Sequence, residues 1–447
     1  MSTYTKNMTE GSELSQILRF ALPLLIGNLF QQVYNIVDSV IVGKFLGKDS
    51  LAAVGATGSI TFLFYTLCIG LSIGAGVLIS QSFGAGKYNE VKSLILNSAY
   101  VLISFGLLLS VVSAISANGL LRLLGTPYGI ISEATGYMRI ACAGTVGVAA
   151  YNWINSVMRS LGDSKTPLVF LIIASILNAA LDLLFVLVFK LGVSGAAYAT
   201  IAAQALSAIG CFIFALIKNS FFRLSKNNVK PNRQLMLKCI STGIPIALQN
   251  ALISVSMVFL QRAANTFGET VMAAYTVTMR IEQLIQQPFQ SLNAAVSTFT
   301  GQNTGADKSL RVINGYRQSL KAAAVFAVFM LITFILFSKL IVKLFVDDPE
   351  VIRIGALALK VSACFYVFLG IIHTTRGLLN GAGDVGYALV NGIAEFIGRV
   401  GFSTVLLNIP FVGIWAVWGT TCLTWVLTAI MSVVRYFSGK WKEKRLI

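Results

Sequence analysis

Residues 81–85 read QSFGA and residues 302–306 read QNTGA, a step of 221 residues. The same step carries Gly47 and Ala53 to Gly268 and Ala274, and Gly162-Asp163 to Gly383-Asp384. Near the start of each half it becomes 222, pairing Pro23 and Asn28 with Pro245 and Asn250. Four pairs in one order mark a duplicated chain, and the duplicated unit is long and apolar. Of 447 residues, 56% are hydrophobic and 11% charged, with a mean hydropathy of +0.78, which excludes an ordinary soluble domain of this size.

Apolar stretches long enough to cross about 30 Å of hydrocarbon as helices recur throughout. The first copy offers spans at 17–45, 52–81, 93–118, 130–158, 166–190 and 194–218. The second offers 239–266, 271–299, 316–345, 352–378, 386–408 and 411–437. The expectation is an all-α polytopic membrane protein of 12 transmembrane helices in two six-helix lobes. An even number of crossings per copy returns the chain to its starting side, so a pseudo-two-fold axis along the membrane normal should relate the lobes. The expected parts are an N-terminal tail (1–16), an N-lobe (17–218), a basic linker (219–238), a C-lobe (239–437) and a basic C-terminal tail (438–447).

The formal net charge of +17 raises the question of nucleic acid. Its distribution answers otherwise: about 22 Lys/Arg fall on one side of the bilayer and about 8 on the other, as the positive-inside rule expects. The basic side holds Lys218, Arg223, Lys226, Lys230, Arg233 and Lys238, and Arg435, Lys440, Lys442, Lys444 and Arg445. Both termini and the linker are therefore expected in the cytoplasm, with the lipid bilayer as partner and no nucleic acid. The first sixteen residues are polar and lead into an apolar segment too long for a signal peptide's core. Cys68, Cys142, Cys211, Cys239, Cys364 and Cys422 lie in or beside spans without metal-ligand spacing, and read as small core residues.

Several enzyme classes fall away, and the expectation is no enzyme and no resident cofactor. No Gly-Lys pair is followed by Ser or Thr, so there is no Walker A loop. His373 is the sole histidine, which rules out an H-E-x-x-H zinc site and reads as a packing residue. Gly192-Val193-Ser194-Gly195 matches the string of intramembrane serine proteases, but Ser194 would need His373 from the other copy as its base. A glycine-rich helix start explains the string better.

Acids in hydrocarbon cost a few kcal/mol each and are functional candidates by default. Four stand well inside spans: Asp38, Asp182, Glu282 and Glu395. Glu395 has Arg399 one turn on, the spacing of an ion pair. Glu282 sits beside Arg280 at a spacing that does not face it. Asp38 and Asp182 have no cation within a helical turn. Tyr34 shares a helix face with Asp38, and Asn178 shares one with Asp182. This set, with Thr200, can take a proton or a hard cation such as sodium through oxygen ligands. Tyr34, Gln31, Asn152, Asn155 and Met158 are grouped as candidates for a substrate cavity. Pro23 and Pro245 occupy matching places in helices one and seven, where each removes a ladder hydrogen bond and can act as a hinge.

ALPLLIGNLFQQVYNIVDSVIVGKFLG (21–47), LAAVGATG (51–58), QSFGAG (81–86), RSLGDSKTP (159–167) and LNAALDLLF (177–185) together resemble the multidrug and toxic compound extrusion family. The resemblance covers essentially the whole chain. It implies two six-helix lobes in a V that expel amphipathic, often cationic, organic compounds on a sodium or proton gradient. In the DinF-like branch it implies a first-lobe cation site at Asp38, Asn178, Asp182 and Thr200, with Asn152, Asn155 and Tyr34 alongside. The NorM-like branch also has acids in helices seven and ten, where this chain has none, leaving Glu282 in helix eight. The combined reading is a monomeric cation-coupled antiporter (H+ or Na+) of a bacterial-type inner membrane, exporting small organic molecules by alternating access. The alternative transporter is a lipid-linked oligosaccharide flippase of the same superfamily, which would need cations in its cavity, where the first lobe offers only Arg139 well inside a span.

The charge asymmetry generates a direct test. A cysteine replacing Lys226 should react with an impermeant thiol reagent only from the cytoplasm, and one replacing Pro410 only from outside. Labelling of both from the same side would overturn the six-plus-six count.

Overall fold

The structure is a computed structural model that describes residues 5–123, 125–223 and 230–447. Lys226 and the rest of 224–229 in the basic linker lie outside the described residues, as do residues 1–4 and 124. No strand occurs among the described residues. In hydrocarbon a helix satisfies its own backbone polar groups and a strand edge cannot, so this is the architecture the composition demands.

Among the described residues fourteen α-helices follow one another: α1 (Glu13–Leu46), α2 (Lys48–Gly84), α3 (Tyr88–Leu123), α4 (Tyr128–Ala143), α5 (Thr145–Ser160), α6 (Lys165–Leu183) and α7 (Gly192–Lys218). The second copy supplies α8 (Arg233–Asn265), α9 (Glu269–Gly305), α10 (Ser309–Lys343), α11 (Pro349–Cys364), α12 (Tyr366–Ala382), α13 (Val385–Leu407) and α14 (Ala416–Phe437). The expected fourth and tenth spans are each broken in two. The breaks fall at Gly144 and Phe365, equivalent residues at the 221-residue step, and α11 and α12 meet at 51°. Among the described residues, nine helices are long and apolar enough to span, and the bent pair α11–α12 makes ten. The expected spans over α4–α5 and α9 fall below that measure. In α9 the cause is a polar run, Arg280, Glu282, Gln283, Gln286, Gln287 and Gln290. The repeat nonetheless aligns α9 with α2, and α4–α5 with α11–α12, which gives six membrane elements per copy.

The chain divides into two compact units, and the division cuts through helices. The first holds residues 22–247 with 1–7 and Ile447; the second holds 8–21 and 248–446. α1 changes unit between Ala21 and Leu22, next to Pro23, and α8 between Ala247 and Leu248, close to Pro245. This differs from the lobes 17–218 and 239–437, because the first turns of α1 and α8 pack away from the helices that follow them in sequence.

Within the first unit, α2 packs on α5 and α6 on α7; within the second, α9 packs on α12 and α13 on α14. Ser156 Oγ donates to Ser72 O at 2.7 Å and Ser160 Oγ to Gly76 O at 2.8 Å, tying α5 to α2. At the 221-residue step these serines become Gly377 and Gly381, which bring α12 onto the backbone of α9 at Asn293 and Ser297. Small residues in both copies let helices approach closely, which is how helices associate in lipid.

The tails are built into the units. Met8 is fully buried; its N–H donates to Gln302 Oε1 at 2.8 Å, and Asn303 Nδ2 donates to its carbonyl at 3.2 Å. The QNTGA end of α9 therefore anchors the N-terminal segment, and α1 begins at Glu13, inside the expected N-terminal tail. At the other end Arg445 pairs with Asp307, and Trp441 is buried in a short 3₁₀ turn (Lys440–Glu443). All six cysteines lie in helices, but Cys364 is exposed and is not the core residue expected.

Gly162 and Gly383, the glycines of the repeated Gly-Asp pair, have φ of 86° and 94°. A Cβ at Gly162 would run into the carbonyl of Lys6, and one at Gly383 into that of Lys444. Gly86 has a similar φ of 73° with nothing around it. Gly162→Ala should thus lower thermal stability in detergent clearly more than Gly86→Ala, which carries only the conformational cost of about 1 kcal/mol. Equal losses would mean that the tail gives way freely.

Candidate functional site

The first unit collects its polar groups where α1, α6 and α7 meet. Asp182 lies near the end of α6 and Asn178 one turn earlier; both are buried. Immediately after them α6 widens into a π-turn, Leu184–Val188, a local expansion often found at functional sites. Asp38 reaches the cluster from α1 and lies in electrostatic contact with Asp182. Two ionised carboxylates can only accept, so a hydrogen bond between them needs one proton on the pair. Oδ1 of each acid meets no other donor. Neither acid makes an ion pair with a cation among the described residues.

Asn178 and Thr200 complete the arrangement. The Asn178 amide satisfies its neighbours when its nitrogen donates to Asp182 Oδ2 at 2.8 Å and its oxygen accepts from the Thr200 backbone N–H at 3.1 Å. Thr200 Oγ1 donates to Ala196 O at 3.1 Å, and Tyr34 lies beside Thr200. The Asn178 oxygen is therefore engaged and an N–H faces the carboxyl pair. Ligation of sodium by this amide would require it to rotate.

Other candidates stand differently. Asn152 spends its amide on Val148 O at 2.9 Å in its own helix. Asn155 is buried, near Tyr151. Met158 is fully buried in the core and offers no cavity surface, whereas Gln31 is exposed on α1. Two phenols were missed. Tyr137 of α4 lies in electrostatic contact with Asp38, Asp182 and Tyr34, and Tyr65 of α2 lies beside it. Neither has a spacing signal; only the packing of α4 and α2 brings them to the acids.

In the second unit, Glu395 accepts from Arg399 Nη2 at 3.0 Å, the expected i,i+4 pair. Its other oxygen accepts from Arg376 Nη2 at 3.2 Å. Arg399, fully buried, also donates to Ser256. Glu282 lies within electrostatic range of Arg399, with one oxygen unpartnered. His373 is buried and stacked on Phe289, centroids 6.3 Å apart. Ser194 belongs to the first unit and His373 to the second.

A profile of the MatE family matches residues 23–184 and 245–411, covering both copies and both acids of the pair. The chain belongs to the MatE family. It is accordingly a multi-pass membrane transporter and not an enzyme. It is 29% identical over 449 residues to the probable multidrug resistance protein YpnP of Bacillus subtilis, covering 98% of each. It is 25% identical to the probable multidrug resistance protein NorM of Thermotoga maritima, covering 97% of this chain and 94% of that one. A solved outward-facing multidrug resistance MATE transporter of the MOP superfamily superposes with a TM-score of 0.91 at 23% identity, over 99% of this chain and 100% of that one.

The two acid clusters of this MatE chain should respond oppositely to neutralisation. Glu395→Gln leaves two buried guanidiniums without their carboxylate and should lower unfolding stability by about 3 kcal/mol or more. Asp182→Asn removes a charge without stranding a cation and should change stability by less than about 1 kcal/mol. Thermal unfolding in matched detergent checks both, and equal losses would refute the distinction.

Proposed function

We propose that this chain is a proton-coupled secondary antiporter that exports small organic, cationic amphipathic compounds by alternating access. The observation that carries the reading is the juxtaposition of two acids from different helices, Asp38 and Asp182, with no cation paired to either among the described residues, an arrangement that one shared proton would satisfy. Multidrug export is supported by the names of the relatives and the near-complete coverage of their length. We place the protein as a monomer in a bacterial-type inner membrane with both termini cytoplasmic, on the strength of the basic linker and C-terminus.

The mechanism follows from where the pair sits. Protonated, the pair joins α1 to α6 through an O–H···O bond. With both acids ionised, repulsion at hydrogen-bond distance separates them, and α1 is the element that can yield. It changes unit beside Pro23, where the ladder lacks a donor. If organic cations favour the separated state and protons the joined one, the two compete without touching, because each draws on the same equilibrium. Asn178 donates to Asp182 in either state, and Thr200 fixes the Asn178 amide. In this arrangement the N–H facing the acids favours a proton over sodium, so sodium is the alternative ion and not the first choice.

The test is efflux of a fluorescent organic cation from proteoliposomes under separately imposed proton and sodium gradients. A proton gradient alone should drive efflux, and Asp38→Asn and Asp182→Asn should each abolish it in protein that still elutes as a single species. Normal transport by Asp38→Asn would refute the site. Efflux driven by sodium alone, and lost in Asn178→Ala and Thr200→Ala while proton-driven efflux survives, would assign sodium.

A further inference from the structure

A groove of about 430 Å³ opens at the C-terminal end of the second unit, between α10, α12, α14 and the 3₁₀ turn Lys440–Glu443. Its walls are aliphatic, Ile313, Leu320, Ile371 and Val433. Its base is aromatic and fixed. Trp441 donates Nε1–H to Tyr436 O at 3.0 Å and stacks on the Tyr436 ring at 13°; Tyr436 in turn packs on Tyr316 at 4.4 Å between centroids. Tyr316 OH is bonded to Thr375 at 2.9 Å, so the wall is held from behind. Two exposed cations, Arg317 and Lys442, flank the mouth.

The charges around this end do not balance. Asp384 is held by Arg435, Asp307 by Arg445, and Glu13 by Arg311. Arg317 and Lys442 make no ion pair among the described residues, and Glu443 is the single acid in a stretch that also carries Lys440 and Lys444. The fold itself does not require this. At the 221-residue step Tyr316 and Arg317 correspond to Ile95 and Leu96, and the first copy has no cation there. An apolar slot, an indole and phenols at a span's end, and two unpaired cations at the rim together match one kind of molecule. Acyl chains fit the slot, the aromatic wall suits the interface, and a phosphate suits the cations.

We propose that this groove is a binding site for an anionic phospholipid of the leaflet on the side of the C-terminus. The phosphate sits between Arg317 and Lys442, with an acyl chain along Ile371 and Val433. Trp441 acts as a positioning residue: it holds Lys442 at the mouth and closes the groove's base against Tyr436. The assignment is independent of which ion the transporter couples.

The experiment is native mass spectrometry of the full-length, delipidated protein titrated with phosphatidylglycerol or phosphatidylcholine, with inorganic phosphate as competitor. Phosphatidylglycerol should bind saturably and in preference to phosphatidylcholine, and millimolar phosphate should not displace it. Arg317→Leu with Lys442→Gln should weaken phosphatidylglycerol binding about thirtyfold while leaving phosphatidylcholine unchanged. Equal weakening for both lipids would reduce the groove to an acyl slot without headgroup recognition and overturn the proposal. Displacement by inorganic phosphate would make it a free-anion site and overturn it as well. Should the double variant not fold, the thermal shift of the unsubstituted protein decides: a saturable rise with phosphatidylglycerol alone supports the site, and equal rises with both lipids overturn it.

Discussion

Everything in this molecule follows from the cost of an unsatisfied polar group in hydrocarbon. The backbone meets it by being helical, and the side chains meet it by folding back. Ser72, Ser113, Thr135, Ser175, Ser319, Thr420, Thr424 and Thr428 each donate to the carbonyl four residues earlier in their own helix. Such hydroxyls are satisfied locally and leave the helix surface small, so neighbours come close. This turns the many Ser, Thr and Gly of the spans into packing surface. It also sharpens the meaning of every polar group that does not fold back.

Asp38 and Asp182 are the clearest of these. A buried carboxyl pair without a cation persists only when a proton or another positive charge joins it, so occupancy by that charge and the local geometry are one variable. α1 is where geometry can respond. It leaves the second unit at Ala21, passes Pro23, and contributes Tyr34 and Asp38 to the first. The site thus lies on the far side of a weakened helix position from the anchor that Gln302 and Asn303 provide at Met8. Anchor, weak point and acid stand in that order along the chain from Met8 through Pro23 to Asp38.

Much of this was legible in the sequence, and what was not has specific causes. The duplication, the paired prolines and the unpartnered acids are statements about single positions or fixed steps, and they stand in the sequence unaltered. The breaks at Gly144 and Phe365 carry no proline and interrupt continuous apolar runs, so a window of hydropathy reads across them. α9 is diluted by its glutamines, yet it is a membrane element because the repeat gives it α2's place. Arg376 as the second partner of Glu395 is 19 residues away on another helix, and Tyr137 and Tyr65 join the acids only through packing. Local spacing reveals partners within a helix and is blind to those across helices. The fates of the tails were hidden for the same reason, since polarity alone does not distinguish a free segment from one clasped by a turn.

The duplication also explains why the two copies differ in chemistry. At the repeat's step, Tyr34 of the first copy corresponds to Ser256 of the second, Asn178 to Arg399, and Asp182 to Ser403. The position where the first unit holds an amide bonded to an unpaired acid is held in the second by a guanidinium bonded to Ser256 and Glu395. Glu395 is paired with two arginines, whereas Asp38 and Asp182 are paired with none among the described residues. The same scaffold therefore carries an uncompensated pair of acids in one unit and a compensated acid in the other. If both clusters titrated, protonation would perturb both units at once and the direction of the response would be lost. With Glu395 paired to two guanidiniums, the proposed change would be confined to α1 and α6 of the first unit. An asymmetric transporter can thus arise from a symmetric duplication by exchanging a few polar side chains at equivalent positions, without altering the helices that carry them.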